Sequence, residues 1–409
     1  MTESVHARAW YKNSGPGALV AAAFIGPGTV TVCTLAGVEF GYELLWVMLL
    51  SVLATLVLQE MSARIGIVTG RGLSQVIREQ LHAQPLARFI VLALILAAIV
   101  VGNAAYEAGN ISGGRLGLET LLGITSTTGS RWLSLLIGAI AFALLFAGSY
   151  RILERALISM VVLMSLAFVL AALLTRPDVG AILQGLLVPS LSDANLLTIV
   201  GLIGTTVVPY NLFLHASLVS EKWHSTDDLR HARRDTLIAV TVGGLVSMAI
   251  IVCAAAINTA DVSNAADLAL GLEPLFGSFA STFLSVGLFA AGITSAITAP
   301  LAAAYVVRGC MGWPADLRHN GFRLVWMSIL ATGIIFSSLG INPIDIIRFA
   351  QVANGLTLPV VAAILLWTMN SEAVLGKHIN TKCHNVLGGI ILAITVALGL
   401  PPASERQLC

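Results

Sequence analysis

Two short segments hold the residues from which a binding chemistry could be assembled. The first reads Gly26-Pro27-Gly28-Thr29 and the second Thr205-Thr206-Val207-Val208-Pro209-Tyr210-Asn211. Each proline lies inside a long apolar run, where it removes a backbone donor and collides with the preceding turn. Breaks at Pro27, loosened further by Gly26 and Gly28, and at Pro209 would present free carbonyls around Phe24–Gly26 and Thr205–Val208. They would also present the Thr29 hydroxyl, the Asn211 amide and two half-helix N-termini of partial positive charge. Gly26, Thr29, Thr205, Val208 and Asn211 are therefore candidate substrate contacts, with Gln351 a further polar one and Tyr210 and Asn354 better read as helix-to-helix glue. Such neutral oxygens suit a hard cation that keeps its water, or else an anionic group facing the N-termini. A dehydrated transition metal asks for sulfur, imidazole or carboxylate, and no residue is assigned to hold one.

Ionisable groups within apolar runs are functional candidates by default. Glu107 and His215 are the candidate proton relays; the plain alternatives are a hydrogen-bonded glutamate near the outer boundary and a histidine bonded to a backbone carbonyl. Glu60 and Arg64, spaced i,i+4, read as an ion pair, and Arg151, Glu154 and Arg155 as a charged, structural or gating loop.

The elements that must position these groups are membrane spans. The chain has 409 residues, 57% hydrophobic and 11% charged, with a mean hydropathy of +0.90. A soluble domain carries about 25% charged residues, so an ordinary soluble enzyme, a disordered chain and a disulfide scaffold are excluded. Net charge of +1 implies no nucleic-acid partner. The five cysteines lack metal or disulfide spacing and read as small buried hydrophobes. No GxxxxGK[ST], Ser-His-Asp or HExxH pattern occurs, so no ATPase subunit, no enzyme activity and no cofactor are expected. Residues 1–16 are polar, and no cleavable leader follows them.

Apolar runs of bilayer length fall at 17–38, 44–63, 87–111, 132–149, 156–175, 194–220, 236–257, 278–306, 322–340, 346–369 and 384–401, an all-α integral membrane protein of eleven spans. Seventeen of the 22 Lys and Arg residues lie on one side and five on the other if the N-terminus is inside. That bias predicts a cytoplasmic N-terminus and an outside C-terminus in a plasma or inner membrane. Breaks in spans 1 and 6 begin equivalent halves, so residues 17–175 and 194–369 are expected to be a 5+5 inverted repeat, with 1–16 a cytoplasmic segment and 384–401 an added helix. Paired interrupted spans point to a transport site at the midplane.

These residues resemble the Nramp family, the natural-resistance-associated macrophage proteins. The resemblance runs over nearly the whole chain. It rests on Leu58–Gly70 at the end of span 2, Pro209–His215, Gly287–Ala299 in span 8, and Gln351–Gly355 followed by Leu358-Pro359. It implies a LeuT-type fold and proton-coupled divalent-metal transport; in sodium-coupled carriers of that fold span-8 hydroxyls bind sodium, but Thr294, Ser295 and Thr298 here match the Nramp pattern instead. In that family span 1 carries Asp-Pro-Gly-Asn and span 6 Met-Pro-His-Asn, whose Asp, Asn and Met hold the metal. Here Gly26, Thr29 and Val208 stand at those positions. The first span-6 histidine is Tyr210, while the second is kept as His215, and Glu107 matches an acid that the family uses in proton transfer. The substitutions imply a wider pocket and a hydrated hard ion such as Mg²⁺ in place of tightly held Mn²⁺ or Fe²⁺, moved by alternating access without obligatory proton coupling. A carrier of a small organic or anionic solute, and a non-transporting sensor, are the alternatives.

Overall fold

A computed structural model of the chain describes residues 25–124, 131–148, 151–191, 195–257, 262–314 and 316–399, without the side chains of 151, 152 and 154. The expected N-terminal segment, the first part of span 1 up to Phe24, the side chains of Arg151 and Glu154, and Cys409 lie outside the described residues. Helices dominate: α1 (Pro27–Phe40), α2 (Leu45–Thr69), α3 (Leu73–Gln80), α4 (Pro85–Leu122), α5 (Arg131–Ala147) and α6 (Arg151–Leu174) make the first half. After α7 (Val179–Leu187) come α8 (Leu196–Thr206), α9 (Pro209–Lys222), α10 (Leu229–Ala254), the short α11 (Ala265–Ala269) and α12 (Glu273–Phe276), and α13 (Ala280–Met311). The chain closes with α14 (Asn320–Ser337), α15 (Pro343–Met369), the short α16 (Glu372–Leu375) and α17 (Lys382–Gly399).

Among the described residues, nine helical stretches are long and apolar enough to cross a membrane, and the 17-residue α5 is a shorter apolar helix. Large apolar side chains such as Phe89, Leu173, Leu187 and Phe349 point outward, as a lipid-facing surface requires. The core is instead built where small residues let backbones touch. A Cβ at Gly204 would strike the Gln351 carbonyl, one at Gly355 the Val200 carbonyl, and one at Gly66 the Ala216 carbonyl. These positions seat α8 on α15 and α9 on α2, the close approach by which helices associate without a hydrophobic drive between them.

Packing repeats under a shift of five spans. α1 lies against α10 as α8 and α9 lie against α2; α4 lies against α15 and α14 as α13 lies against α6 and α5; and α4 and α13 cross each other at the centre. This is the contact pattern expected of two related five-helix halves, with α17 added against α15 and α2.

Two expectations change. Span 3 does not stop near residue 111: α4 continues to Leu122, through a stretch rich in glycine that lowers hydropathy without ending the helix. Arg115, one of the five Lys and Arg residues that the charge count places outside, is fully buried within this helix. Its Nε pairs with Glu119 at 2.6 Å and its Nη1 donates to the Ser337 carbonyl at 2.6 Å. Among the cysteines, Cys33, Cys253 and Cys310 are buried as expected, but Cys383 is exposed on the first turn of α17 at the edge of the bundle.

Candidate functional site

Proline sets the start of both α9 and α1. α9 begins with Pro209 at its first position, and Val208 before it is extended (φ −75°, ψ 118°). Pro209 has no N–H to offer the Thr205 carbonyl, so the ladder ends at Val207, whose N–H reaches Ile203 at 2.8 Å. α1 likewise begins with Pro27, preceded by Gly26 in an extended conformation. Pro27 is seated on α4 at Gly113, where a Cβ would collide with its ring. Both first-turn carbonyls already accept one bond: Val30 N–H to Gly26 O at 3.2 Å and Asn211 N–H to Val208 O at 3.1 Å. Each keeps a second lone pair.

The start of α1 and the end of α8 meet. Thr29 Oγ1 and Thr205 Oγ1 lie 2.9 Å apart, both buried. Gln351, from α15, lays its amide against the backbone at Gly28, where a Cβ would stand 2.6 Å from its Cδ. Gly26 faces α13 and α4: a Cβ there would stand 3.1 Å from Ser295 Oγ and 3.9 Å from Tyr106 Oη. Tyr106 in turn packs edge-on against Tyr210, ring centroids 5.5 Å apart. Gly26, Thr29, Thr205, Val208, Asn211 and Gln351 are all buried. Beside the segment at Gly26–Thr29 lie the Gln351 amide and Ser295, with Tyr106 and Tyr210 in edge contact next to them.

Burial without partners distinguishes the site from ordinary core. Both side-chain atoms of Asn211, Gln351 Oε1, Asn354 Nδ2 and Ser295 Oγ are buried with no hydrogen-bond partner. A buried polar group left unpaired costs ~1–3 kcal/mol, so a cluster of them marks a place where a ligand or water completes the bonding. Thr294 and Thr298, the other hydroxyls considered for sodium, are turned back onto the carbonyls of their own helix. No group of three or more His, Cys, Asp or Glu that could hold a metal ion occurs among the described residues.

The proton-relay candidates lie on either side of this cluster. Glu107 is fully buried, so it does not snorkel to an interface. Its Oε2 accepts from Asn110 Nδ2 at 3.3 Å, Oε1 has no partner, and α14 crosses it closely at Gly333. His215, one turn along α9 from Asn211, bonds through Nδ1 to Gln59 Oε1 at 2.5 Å and leaves Nε2 unpartnered. Its partner is a side chain on α2 in place of the carbonyl considered from sequence. Glu60 and Arg64 pair at 2.7 Å as their spacing predicts, and Arg233 of α10 joins them at 2.8 Å. The sequence suggests Ser295 only as a sodium contact and carries no signal for Tyr106. Both belong to the site through tertiary packing at Gly26, which no spacing along the chain encodes.

Comparison with known proteins agrees with this architecture. Residues 17–401 match the family described as natural resistance-associated macrophage protein-like. The divalent metal cation transporter MntH of Chromohalobacter salexigens is 29% identical over 405 residues, covering 96% of this chain and 90% of that protein. MntH of Yersinia pestis is 28% identical, covering 94% and 92%. Among solved structures, a variant of the Eremococcus coleocola manganese transporter superposes with a TM-score of 0.75 at 22% identity, covering 100% of this chain and 93% of that one. MhsT in complex with L-phenylalanine superposes with a TM-score of 0.64 at 15% identity, covering 94% and 98%. The shared fold is that of LeuT-type carriers.

Proposed function

The chain belongs to the Nramp family, and from that premise we propose that it is a secondary transporter, not an enzyme, that carries a divalent cation across the membrane by alternating access. The relatives named above as divalent metal cation transporters support the substrate class. The cation is a hard one, Mg²⁺ ahead of Mn²⁺ and Fe²⁺, and it keeps part of its hydration shell. One observation carries this reading: the meeting point of the two segments is lined by neutral amides and hydroxyls, several without partners, and no group of three or more His, Cys, Asp or Glu occurs among the described residues. Mg²⁺ dehydrates reluctantly and is bound largely through its waters. Unpaired amide and hydroxyl atoms on Asn211, Gln351 and Ser295 can bond those waters. A bare transition ion would find no cluster of carboxylate, thiolate or imidazole ligands among the described residues to offset its desolvation.

Helices α1, α8 and α9 form the moving part and α4, α5, α13 and α14 the scaffold, with the N-terminus cytoplasmic, the C-terminus outside, eleven spans, and 17–175 and 194–369 as the inverted repeats. Transport proceeds without obligatory proton coupling, because Tyr210 replaces the first span-6 histidine; should coupling exist, Glu107 and His215 are the residues to carry it. Half-helix N-termini at Pro27 and Pro209 favour the second reading, a small anionic solute.

Flux into proteoliposomes separates the two. Mg²⁺-dependent uptake, with weak or absent Mn²⁺ binding by calorimetry, is the expected result. Tight Mn²⁺ binding, or uptake of an organic anion in its place, would overturn the cation reading.

A further inference from the structure

Away from the broken spans, a hollow of about 310 Å³ opens at the end of the bundle that the arginine distribution assigns to the cytoplasm. Its walls are the α2–α3 connection, α3, the last turns of α9 and the last turns of α13. Close backbone approaches fix that frame. A Cβ at Gly72 would stand 2.5 Å from Ser217 Oγ, one at Gly309 would strike Ser74, and one at Gly312 would stand 2.6 Å from the guanidinium carbon of Arg78.

Three arginines, Arg71, Arg78 and Arg308, line the hollow against one carboxylate, Glu221. Arg71 is committed to Glu79. Arg78 and Arg308 have no carboxylate partner among the described residues, and Arg78 Nε is buried with no acceptor at all. Arg308 is held in position over the ring of Tyr305, 4.6 Å from its centroid. The hydroxyls of Ser217 and Ser220 already donate to backbone carbonyls. The donors left at the hollow include two guanidinium forks and the Ser74 hydroxyl.

Unpaired guanidinium groups on two separate elements, one with a buried N–H lacking any acceptor, call for an oxyanion that can accept several bonds at once. With Arg71 paired to Glu79, Arg78 and Arg308 outnumber Glu221, and this positive excess favours an anion over a cation. The volume exceeds that of a bare phosphate, and Tyr305 and Trp313 give it an aromatic wall for an organic remainder. Basic pockets between spans on the cytoplasmic side suit phospholipid headgroups. We propose that this hollow binds a phosphate group between Arg78 and Arg308, and that the bound anion ties the end of α9 to α3 and α13. Since α9 is half of an interrupted span, occupancy stabilises the arrangement in which this face is closed.

The test uses the purified full-length chain and does not depend on what it transports. Thermal unfolding is followed in detergent with inorganic phosphate against chloride at equal ionic strength, and in nanodiscs of phosphatidylglycerol against phosphatidylcholine. Stabilisation that rises with phosphate or with phosphatidylglycerol is expected; a free anion is the source if phosphate alone acts, a headgroup if the lipid alone acts. Arg78→Gln with Arg308→Gln should weaken the effect by at least about tenfold in apparent affinity, while the exposed Arg318→Gln should leave it unchanged. Arg78→Lys, which keeps the charge but not the fork, covers the case where the double variant fails to fold; it should lose affinity several-fold. No stabilisation by either ligand, or an equal response in wild type, Arg78→Lys and the double variant, would refute the proposal.

Discussion

Adding one methyl group at Gly28 tests whether Gln351 is part of the substrate site. In Gly28→Ala the new Cβ would lie 2.6 Å from Gln351 Cδ, whereas ordinary carbon contacts begin near 3.4 Å. The amide must withdraw by nearly 1 Å. Because the obstacle is the far end of a flexible side chain, the helix itself can stay. Overpacking of this kind costs roughly 1–3 kcal/mol, within the reach of a stable membrane bundle. Gln351→Ala removes the obstacle, so Gly28→Ala made on that background should cost less than about 0.5 kcal/mol, a coupling of 1 kcal/mol or more between residues in contact. Denaturant or thermal unfolding of the four proteins in detergent measures this cycle, and Mg²⁺ uptake into proteoliposomes measures function on the same set. Gly28→Ala and Gln351→Ala should each reduce uptake about tenfold or more, the loss of one charge-assisted contact to the ion's water shell. Additive stability costs would show that Gln351 does not lie over Gly28. Full uptake by Gln351→Ala would remove it from the site.

Four other outcomes follow from the same geometry. Arg115→Ala removes one partner of a buried ion pair and the donor to the Ser337 carbonyl, and should cost about 3–5 kcal/mol, read as a large fall in the unfolding midpoint. Pro209→Ala restores a donor to the Thr205 carbonyl and should make α8 and α9 more continuous; Mg²⁺ uptake should fall while thermal stability holds or rises. The triple variant Gly26→Asp, Thr29→Asn, Val208→Met, made with Ser295→Ala to clear the 3.1 Å approach at Gly26, should gain calorimetric Mn²⁺ binding; a folded variant without it would contradict the assignment of these positions. Glu107→Gln proteoliposomes should acidify no differently from wild type during Mg²⁺ uptake, and a clear loss of lumenal acidification would establish coupling through Glu107.

The break in span 6 could be read from the chain because Pro209 cannot offer an N–H to the preceding turn, and the span parts between Thr206 and Pro209; Pro300 and Pro359 stand inside continuous helices, so proline alone was not the signal. Span lengths were legible from hydropathy except where polar residues are buried. The extension of α4 past residue 111 was hidden because Arg115, Glu119 and a run of glycines look like a loop until Ser337 of α14 is brought beside them. The pairing of Thr29 with Thr205 joins residues far apart in sequence. It followed in outline from two breaks facing one another, but its contact could not be read from spacing. Gln351 on Gly28, and Ser295 and Tyr106 on Gly26, depend on how α15, α13 and α4 cross α1. That crossing is set by glycine contacts between backbones, each too small a signal to read one helix at a time.

The most direct measurement is a high-resolution map of the protein with Mg²⁺, and in parallel with Mn²⁺ for its anomalous signal, examined between α1 and the α8–α9 break. The account predicts Mg²⁺ density beside Thr29, Thr205 and Asn211 with most protein oxygens at about 4 Å, bridged by water, rather than at the roughly 2.1 Å of direct ligation. A fully dehydrated ion held directly by side chains, a strong Mn²⁺ peak there, or an organic anion in its place would contradict it.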